Sequence, residues 1–270
     1  GETVRIKPML AQEFEKHKHK LRYPLTSQPK LDGCRAIALR IDGKVVLQSR
    51  GGDYYDLPHV KEALEPVLTE GLDLDGELYI HGVSLQTITS LIRRPRPEST
   101  EITYQIYDVP SHEGNWEERH AWLLNFDSEL EHPLHLLSDE ICCNEQEVKD
   151  FHQTWMELGY EGSIIRSHEG TYREGYRSPH LLKLKNWSDS EFTIVGWKTG
   201  KGKFENVPVF RCITTEGKEF DVAPKGTAEE RSEMLRQADD LVGQMLKVKY
   251  FAYSPDGIPL FPVGLSLRFP

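Results

Sequence analysis

Between residues 35 and 49 the chain carries two short apolar runs, Ala36 to Leu39 and Val45 to Leu47, on either side of Asp42-Gly43. That pattern predicts a β-hairpin with strands over 35–41 and 45–49. Downstream, residues 59–68 have the spacing of a short helix. Residues 72–80 read as a strand ending near His81-Gly82, and 103–107 as another strand. Residues 145–158 form an amphipathic helical stretch with Gly159 as its stop, followed by strands over 163–166 and 181–185. Short strands mixed irregularly with helices predict an α+β domain built on antiparallel sheets, not a Rossmann alternation.

After Trp187-Ser188-Asp189 the character changes. Strands are predicted over 192–198, 209–214, 219–222, 245–253 and 260–267, with one helix over 228–241. Five strands with a helix before the fourth is the layout of an OB-fold β-barrel, a scaffold whose face and loops often hold nucleic acid. The expected division is therefore residues 1–188 and residues 189–270.

Composition narrows the class. The chain has 270 residues, 38% of them hydrophobic, and no run long enough to span a bilayer. Four cysteines without a CxxC pair fit a reducing, cytoplasmic setting and no structural zinc. His132 and His135 are read as an incidental surface pair, and a start on Gly1 leaves room for a removed leader. The net charge of −10 argues against nucleic acid only until the basic residues are located. They cluster as Lys16, Lys18, Lys20 and Arg22; as Arg93, Arg94 and Arg96; as Lys198, Lys201 and Lys203; and as Lys247 and Lys249. Interleaved with Trp197, Phe204 and Tyr250, these clusters predict a nucleic-acid groove. In particular, Gly200-Lys201-Gly202-Lys203 combines open backbone with charge, so Lys201 and Lys203 are candidate phosphate contacts.

The candidate chemistry starts at Lys30-Leu31-Asp32-Gly33-Cys34-Arg35. A lysine attacks phosphorus as a neutral amine, which neighbouring positive charge favours. Lys183 and Lys185 alternate along a strand and so share a face, where they can neutralise a phosphate and favour that amine. Glu77 and Glu161 lie at strand ends beside glycines, suited to a ribose hydroxyl or a magnesium ion. Arg35 and Arg50 are planar forks for phosphate. Tyr107 is either a stacking ring or a core aromatic.

These strings, in order, resemble the motifs of the ATP-dependent DNA ligases among the covalent nucleotidyltransferases. The similar segments are Lys7-Pro8-Met9-Leu10-Ala11, the Lys30 string, Ser49-Arg50-Gly51, Leu74-Asp75-Gly76-Glu77-Leu78, Tyr104-Gln105-Ile106-Tyr107-Asp108, Glu161-Gly162-Ser163-Ile164-Ile165-Arg166 and Leu182-Lys183-Leu184-Lys185. The resemblance implies an adenylation domain before the OB-fold, and nick sealing in duplex DNA by a monomer using ATP and Mg²⁺. It makes Lys30 the nucleophile that becomes lysyl–AMP, Gln28 the partner of the adenine amino group, and Tyr107 the stacking ring. Glu77 becomes the ribose contact and Glu161 the metal-side carboxylate, with sharing of the metal open. Arg35 falls near the ribose or the nick, Arg50 at the 5′-phosphate of the nick, and Arg177 beside the nucleotide. Phe261 to Arg268 matches the start of the family's last basic motif, which makes Arg268 the candidate for assisting pyrophosphate departure.

Three rivals stand beside this reading. An mRNA-capping guanylyltransferase shares the lysines and OB-domain, but its fourth motif begins with Asp where this chain has Glu161-Gly162. RNA ligases often carry a different C-terminal domain. An OB-fold nucleic-acid-binding protein with an inert partner domain would form no covalent nucleotide at all.

Overall fold

The computed structural model describes residues 6–185, 188–250, 253–254, 256–259 and 262–268. The chain forms two units, residues 1–184 and 185–270, a junction slightly ahead of the one expected at 188. In chain order the first unit begins β1 (Leu10–Glu13), α1 (Phe14–His17), β2 (Leu25–Lys30), β3 (Cys34–Ile41), β4 (Lys44–Ser49), β5 (Tyr54–Tyr55) and α2 (Pro58–Leu64). It continues β6 (Leu74–Tyr79), α3 (Leu85–Arg93), β7 (Thr103–Asp108), α4 (Trp116–Phe126), β8 (Leu134–Leu136), β9 (Glu140–Cys142) and α5 (Glu145–Glu157). The last two strands are β10 (Gly162–Ser167) and β11 (Arg177–Lys185).

Two sheets organise these elements. One has the order β5-β4-β3-β6-β7-β8 and the other β1-β11-β10-β2-β9. Pairing is antiparallel as expected along β5-β4-β3-β6-β7 and β10-β2-β9, whereas β1–β11 and β7–β8 are parallel. Asp42 and Gly43 both take positive φ, 52° and 78°, as the expected tight hairpin turn requires. Strand β3 buries both faces: Ala36 and Ala38 join the main core, while Ile37 and Leu39 meet Ile6. Its unbroken apolar run is the signature of a strand covered on two sides.

The main core packs Leu74, Leu78, Tyr104 and Ile106 against Leu64 of α2, Ile88 and Leu91 of α3, and Trp116 and Leu123 of α4. Neither α3 nor α4 was expected, although α3 carries helical apolar spacing in Leu85, Ile88, Leu91 and Ile92; α4 does not. Their caps are the better signal: Ser84 Oγ accepts from the Thr87 amide (3.2 Å), and Asn115 forms a reciprocal box with Glu118. The second sheet packs Leu25, Ile165 and Leu182 against Phe14 and Val148 on one face. By strand alternation, Gln28 and Lys30 of β2, Arg166 of β10 and Lys183 of β11 rise from the opposite face.

The second unit contains β12 (Ser188–Thr199), β13 (Pro208–Ile213), β14 (Glu219–Val222), α6 (Ala228–Arg236), α7 (Ala238–Leu241), β15 (Met245–Tyr250) and β16 (Val263–Arg268). The expected helix over 228–241 is two helices, broken at Gln237, whose backbone leaves the helical region. The antiparallel sheet has the order β14-β13-β12-β15-β16. In place of a continuous closing ladder, its edges meet at one bridge between Pro224 and Gly264. There the Lys225 amide donates to Gly264 O (2.7 Å) and the Gly264 amide to Ala223 O (3.0 Å). The expected strand over 245–253 is described to Tyr250, and residues 260 and 261 of the last expected strand lie outside the described residues. No helix among the described residues is long and apolar enough to cross a membrane.

Gly76 sits where β6 passes closest to β7. A Cβ there would lie 2.3 Å from Gln105 O and 2.9 Å from Tyr104 Cε1. Gly76→Ala should therefore lower the urea midpoint by the equivalent of about 1–3 kcal/mol. Gly43→Ala, in open space but at positive φ, should cost only about 1 kcal/mol.

Candidate active site

Lys30 ends β2, where the antiparallel register pairs it with Gly162. Its Nζ lies 3.2 Å from Glu161 Oε2, and the Glu161 amide donates to Lys30 O (3.2 Å). The nucleophile candidate and one acid candidate are thus joined through both side chain and backbone. The chain then turns through Gly33, whose amide donates to Glu77 Oε2 (3.2 Å). A Cβ on Gly33 would sit 2.4 Å from Leu78 O and 2.9 Å from Glu77 Cγ. Glycine in this string is thus required by the neighbouring strand β6.

Glu77 is held at both oxygens, since the Tyr107 hydroxyl donates to Oε1 (3.0 Å). Burial pushes its carboxyl up to about 7, against the opposing pull of the Tyr107 hydroxyl, Arg35, Lys30 and the Gly33 amide. Arg35 crosses from β3 to Asp75 of β6 in a two-point fork, Nε to Oδ1 at 3.1 Å and Nη2 to Oδ2 at 2.6 Å. That fork, expected to be open for phosphate, is largely committed to Asp75. The Tyr172 hydroxyl also donates to Asp75 (2.8 Å) and in turn accepts from the Met9 amide (3.1 Å). The segment from Lys7 to Ala11 therefore braces Arg35 from behind.

A second buried network lies under Tyr107. Asp108 is fully buried and receives Arg119 Nε (2.8 Å), Arg166 Nη1 (2.5 Å) and the Val109 amide (2.7 Å). Burial acts to raise the Asp108 carboxyl, but the two guanidiniums outweigh it and hold the group below the ordinary carboxylate range. Arg166 lies 4.2 Å above the Trp116 ring and 5.8 Å from the Tyr107 ring. Its Nε donates to Gln28 Oε1 (2.9 Å). Gln28, the residue expected to meet the adenine amino group, is 2% exposed, and its Oε1 accepts this bond from Arg166.

The remaining candidates separate. Arg50 is exposed in the turn after β4, shaped by the Ser49 amide to Asp53 O bond (2.7 Å), and has no ion pair among the described residues. Arg177, exposed, donates through Nη1 to Ala11 O (2.7 Å), which secures β1 against β11. Lys183 shares the Lys30 face of its sheet, and Lys185 ends that strand, exposed. Lys201 and Lys203 are exposed on the turn between β12 and β13, with Lys203 Nζ 5.1 Å from the Phe204 ring. The side chain of Arg268 lies outside the described residues.

Two of the basic clusters are neutralised in part by the protein itself. Lys16 pairs with Glu13, Lys18 with Glu15 and Glu145, Arg22 with Glu169, and Lys198 with Asp221. Tyr250, expected to interleave with lysines on a groove, is a core residue of the second unit. Sequence reading missed the structural parts of the site: Asp75, Asp108, Arg119, Arg166 and Tyr172. Asp75, Asp108 and Arg166 sit inside the noted motifs. Arg119 lies on a helix that hydrophobic spacing did not reveal.

The sequence profile of the ATP-dependent DNA ligase domain matches residues 8–185, and that of the DNA ligase OB-like domain matches residues 199–268. The chain belongs to the ATP-dependent DNA ligase family. The DNA ligase of African swine fever virus (isolate Tick/Malawi/Lil 20-1/1983) is 31% identical over 268 residues, covering 89% of this chain and 62% of the viral protein. The chain thus spans less than two thirds of the viral relatives it matches. A Haemophilus influenzae DNA ligase is 28% identical over 193 residues, covering 70% of this chain and 69% of its own length. Among solved structures, a chlorella virus DNA ligase–adenylate aligns with TM-score 0.57 and 24% identity over 98% of this chain and 100% of its own. The bacteriophage T7 ligase in complex with ATP aligns with TM-score 0.61 and 16% identity, over 98% and 99% respectively. These likenesses confirm the ligase fold: an adenylation domain followed by an OB-like domain.

The state of Glu77 in this ligase domain gives a pH signature. Its folded-state carboxyl titrates near 7, above the ordinary 4.5. Below 4.5 it is protonated in both states and changes nothing. From 4.5 to 7 the unfolded chain ionises first, so stability falls as pH rises, and above 7 that loss is complete. Glu77→Gln does not ionise. Its stability relative to wild type should therefore rise between pH 5 and pH 7.5 in urea titrations, with the two proteins closest at pH 5.

Proposed function

We propose that the chain seals 5′-phosphate/3′-hydroxyl nicks in duplex DNA, using ATP and a lysyl–AMP intermediate on Lys30. The observation that carries this reading is the placement of Lys30 on Glu161 beside the Glu77–Tyr107 pair, within a ligase-family domain. In the first step the Lys30 amine attacks the α-phosphorus of ATP. An N–P bond forms, the bond to the β-phosphate oxygen breaks, and pyrophosphate leaves. Next an oxygen of the 5′-phosphate attacks the same phosphorus, the N–P bond breaks and Lys30 is regenerated. The 3′-hydroxyl then attacks the 5′-phosphate, and AMP departs as the phosphodiester closes.

Each side chain takes a role consistent with its surroundings. Tyr107, anchored by its hydroxyl to Glu77, offers a ring on which adenine stacks. Glu77, with both oxygens engaged and its charge disfavoured at neutral pH, suits a ribose hydroxyl better than a metal. Glu161 is exposed and ionic, and its hard oxygens suit Mg²⁺. Magnesium, which offsets triphosphate charge, usually takes one or two carboxylates plus phosphates and water. A lone Glu161 therefore fits, and no cluster of three or more metal-ligating side chains exists among the described residues. Lys183 and Lys185 bring charge to the phosphates. Arg35 keeps Nη1 clear of the Asp75 fork for the ribose or the nick. Lys201 and Lys203 meet the DNA backbone. The four unpaired cysteines support action in a reducing cytoplasm, by a single chain at each nick.

Lys30→Ala and Lys30→Arg should both abolish labelling by α-³²P-ATP, since arginine keeps the charge but cannot become a neutral nucleophile. Both variants should still close a nick that already carries AMP, slowly. Label retained on the alanine variant would refute the assignment.

Arg50, exposed and without an ion pair among the described residues, is assigned to the 5′-phosphate of the nick. Arg50→Ala should label normally with ATP yet transfer AMP to the nick roughly tenfold to a thousandfold more slowly, from loss of one charge-assisted contact. Single-turnover transfer from purified enzyme–AMP measures this. Defective labelling with intact transfer would move Arg50 into the nucleotide pocket.

A further inference from the structure

The turn that brings Glu161 to Lys30 is held from the other sheet. Helix α5 ends at Leu158, Gly159 takes φ 92°, and the chain enters β10 through Tyr160 and Glu161. The amides of this turn donate inward: Gly159 to Met156 O and Tyr160 to Trp155 O (both 3.0 Å), and Glu161 to Lys30 O (3.2 Å). The carbonyl at the helix end, Leu158 O, faces outward to His81, whose Nε2 lies 2.7 Å away. A carbonyl only accepts, so Nε2 carries the hydrogen, and in the neutral imidazole Nδ1 is the acceptor. The Tyr79 hydroxyl, 2.8 Å from Nδ1, donates to it. Burial, with Tyr160, Asp32, Glu77 and Glu161 around it, pushes the Tyr79 phenol from the ordinary 10 up to about 12, so it keeps its proton.

Aromatic packing follows the same line. The Tyr160 ring lies 4.5 Å from that of His81 and stacks on Tyr79 at 6.4 Å, with Trp155 edge-on at 6.3 Å. Trp155 Nε1 in turn donates to Ser27 Oγ (2.9 Å) of β2, the strand that ends in Lys30. A Cβ on Gly159 would come within 3.4 Å of His81 Nε2, so the turn and the imidazole are in contact. His81 stands in a turn of its own after β6, closed by the Val83 amide to Ile80 O (3.2 Å) with Gly82 at φ 80°. It is exposed and adds little to the core, yet it reaches the residue three before Glu161.

We propose that His81, oriented by Tyr79, is a positioning residue that caps α5 at Leu158 O and so fixes Glu161 against Lys30. The proposal rests on the assignment of Lys30 as nucleophile. Tyr107 and Glu77, assigned to adenine and ribose, are held by each other and by the Gly33 amide, not by this turn. Loss of the cap therefore slows attack on the α-phosphorus without weakening the grip on the nucleotide.

Two readouts test this in wild type, His81→Ala, His81→Gln and Tyr79→Phe. Single-turnover lysyl–AMP formation is followed at varied ATP. Amide exchange of residues 158–162 is followed by mass spectrometry on the same proteins without nucleotide. His81→Ala should lower the rate constant at saturating ATP about three- to thirtyfold, with half-saturation within about twofold. It should also speed exchange of the turn about fivefold, the worth of one neutral hydrogen bond. His81→Gln keeps a donor at the distance of Nε2 and should restore both readouts. Tyr79→Phe keeps the ring but frees the imidazole, so both should move by about twofold; no movement would remove Tyr79 from the role. A misfolded fraction would lower the labelled amplitude and leave the rate constant unchanged, which would overturn the proposal. Unchanged exchange in His81→Ala, or a His81→Gln variant as impaired as the alanine one, would overturn it equally. If wild type forms no lysyl–AMP, it is the nucleophile assignment that fails, and faster exchange in His81→Ala would still confirm the cap at Leu158 O.

Discussion

The buried carboxylate of Asp108 between Arg119 and Arg166 is the contact on which the first unit depends. It joins β7 of one sheet to β10 of the other, with α4 as the third support. Arg119 extends the tie through Nη1 to the carbonyls of Gly114 and Gly170 (3.0 and 2.9 Å). An ion cluster this deep is costly to desolvate, and breaking it by removing one member leaves an uncompensated buried charge. What the arrangement provides is geometry. Two sheets that could slide on apolar contacts are pinned there, with Tyr107 on β7 beside the tie and Lys30 and Glu77 on the adjoining strands β2 and β6.

Two carboxylates flank Lys30, the proposed nucleophile, and the fold gives them opposite characters. Glu161 stays in solvent and meets Lys30 as an ion. Glu77, two residues after the fork-bound Asp75 on β6, is enclosed by Tyr107 and the Gly33 turn, so its charge is disfavoured. Two residues of one chemical type thereby become an exposed ion-pairing group and an enclosed group whose charge is disfavoured, a division set by solvent access.

The elements bearing chemistry were largely legible because each sits in a short string of restricted meaning: a hairpin at Asp42-Gly43, a strand beginning after Glu161 and a helix stopped by Gly159; Glu77, expected at a strand end, instead lies within β6, paired with Arg35 and Gln105. The second unit was legible in its strands for the same reason, and its helix was misjudged only at Gln237. Strand β2, which carries Lys30, was not recognised, because Thr26, Ser27, Gln28 and Pro29 lack an apolar alternation. Those residues are buried through specific partners instead: Trp116 on Thr26, Trp155 on Ser27 and Arg166 on Gln28. The tie that Arg177 makes to β1 was illegible for a related reason. A motif fixes where a residue lies along the chain, but the Ala11 carbonyl that captures this arginine comes from 166 residues away. Long-range polar pairing of this kind leaves no local periodicity to read.

The trio of Asp108, Arg119 and Arg166 sets two guanidiniums against one carboxylate, so a unit of positive charge remains locked inside a protein whose net charge is −10. Mobile ions screen surface lysines within about 8–10 Å at physiological salt, but they do not enter a packed interior. The field beneath Tyr107 is therefore of a different kind from that of exposed Lys201 and Lys203. Rising ionic strength weakens long-range attraction between surface charge and a polyanion, yet leaves this interior charge nearly intact. For the nick-sealing activity proposed above, adding salt should consequently uncouple the two ligands, releasing the duplex well before the nucleotide.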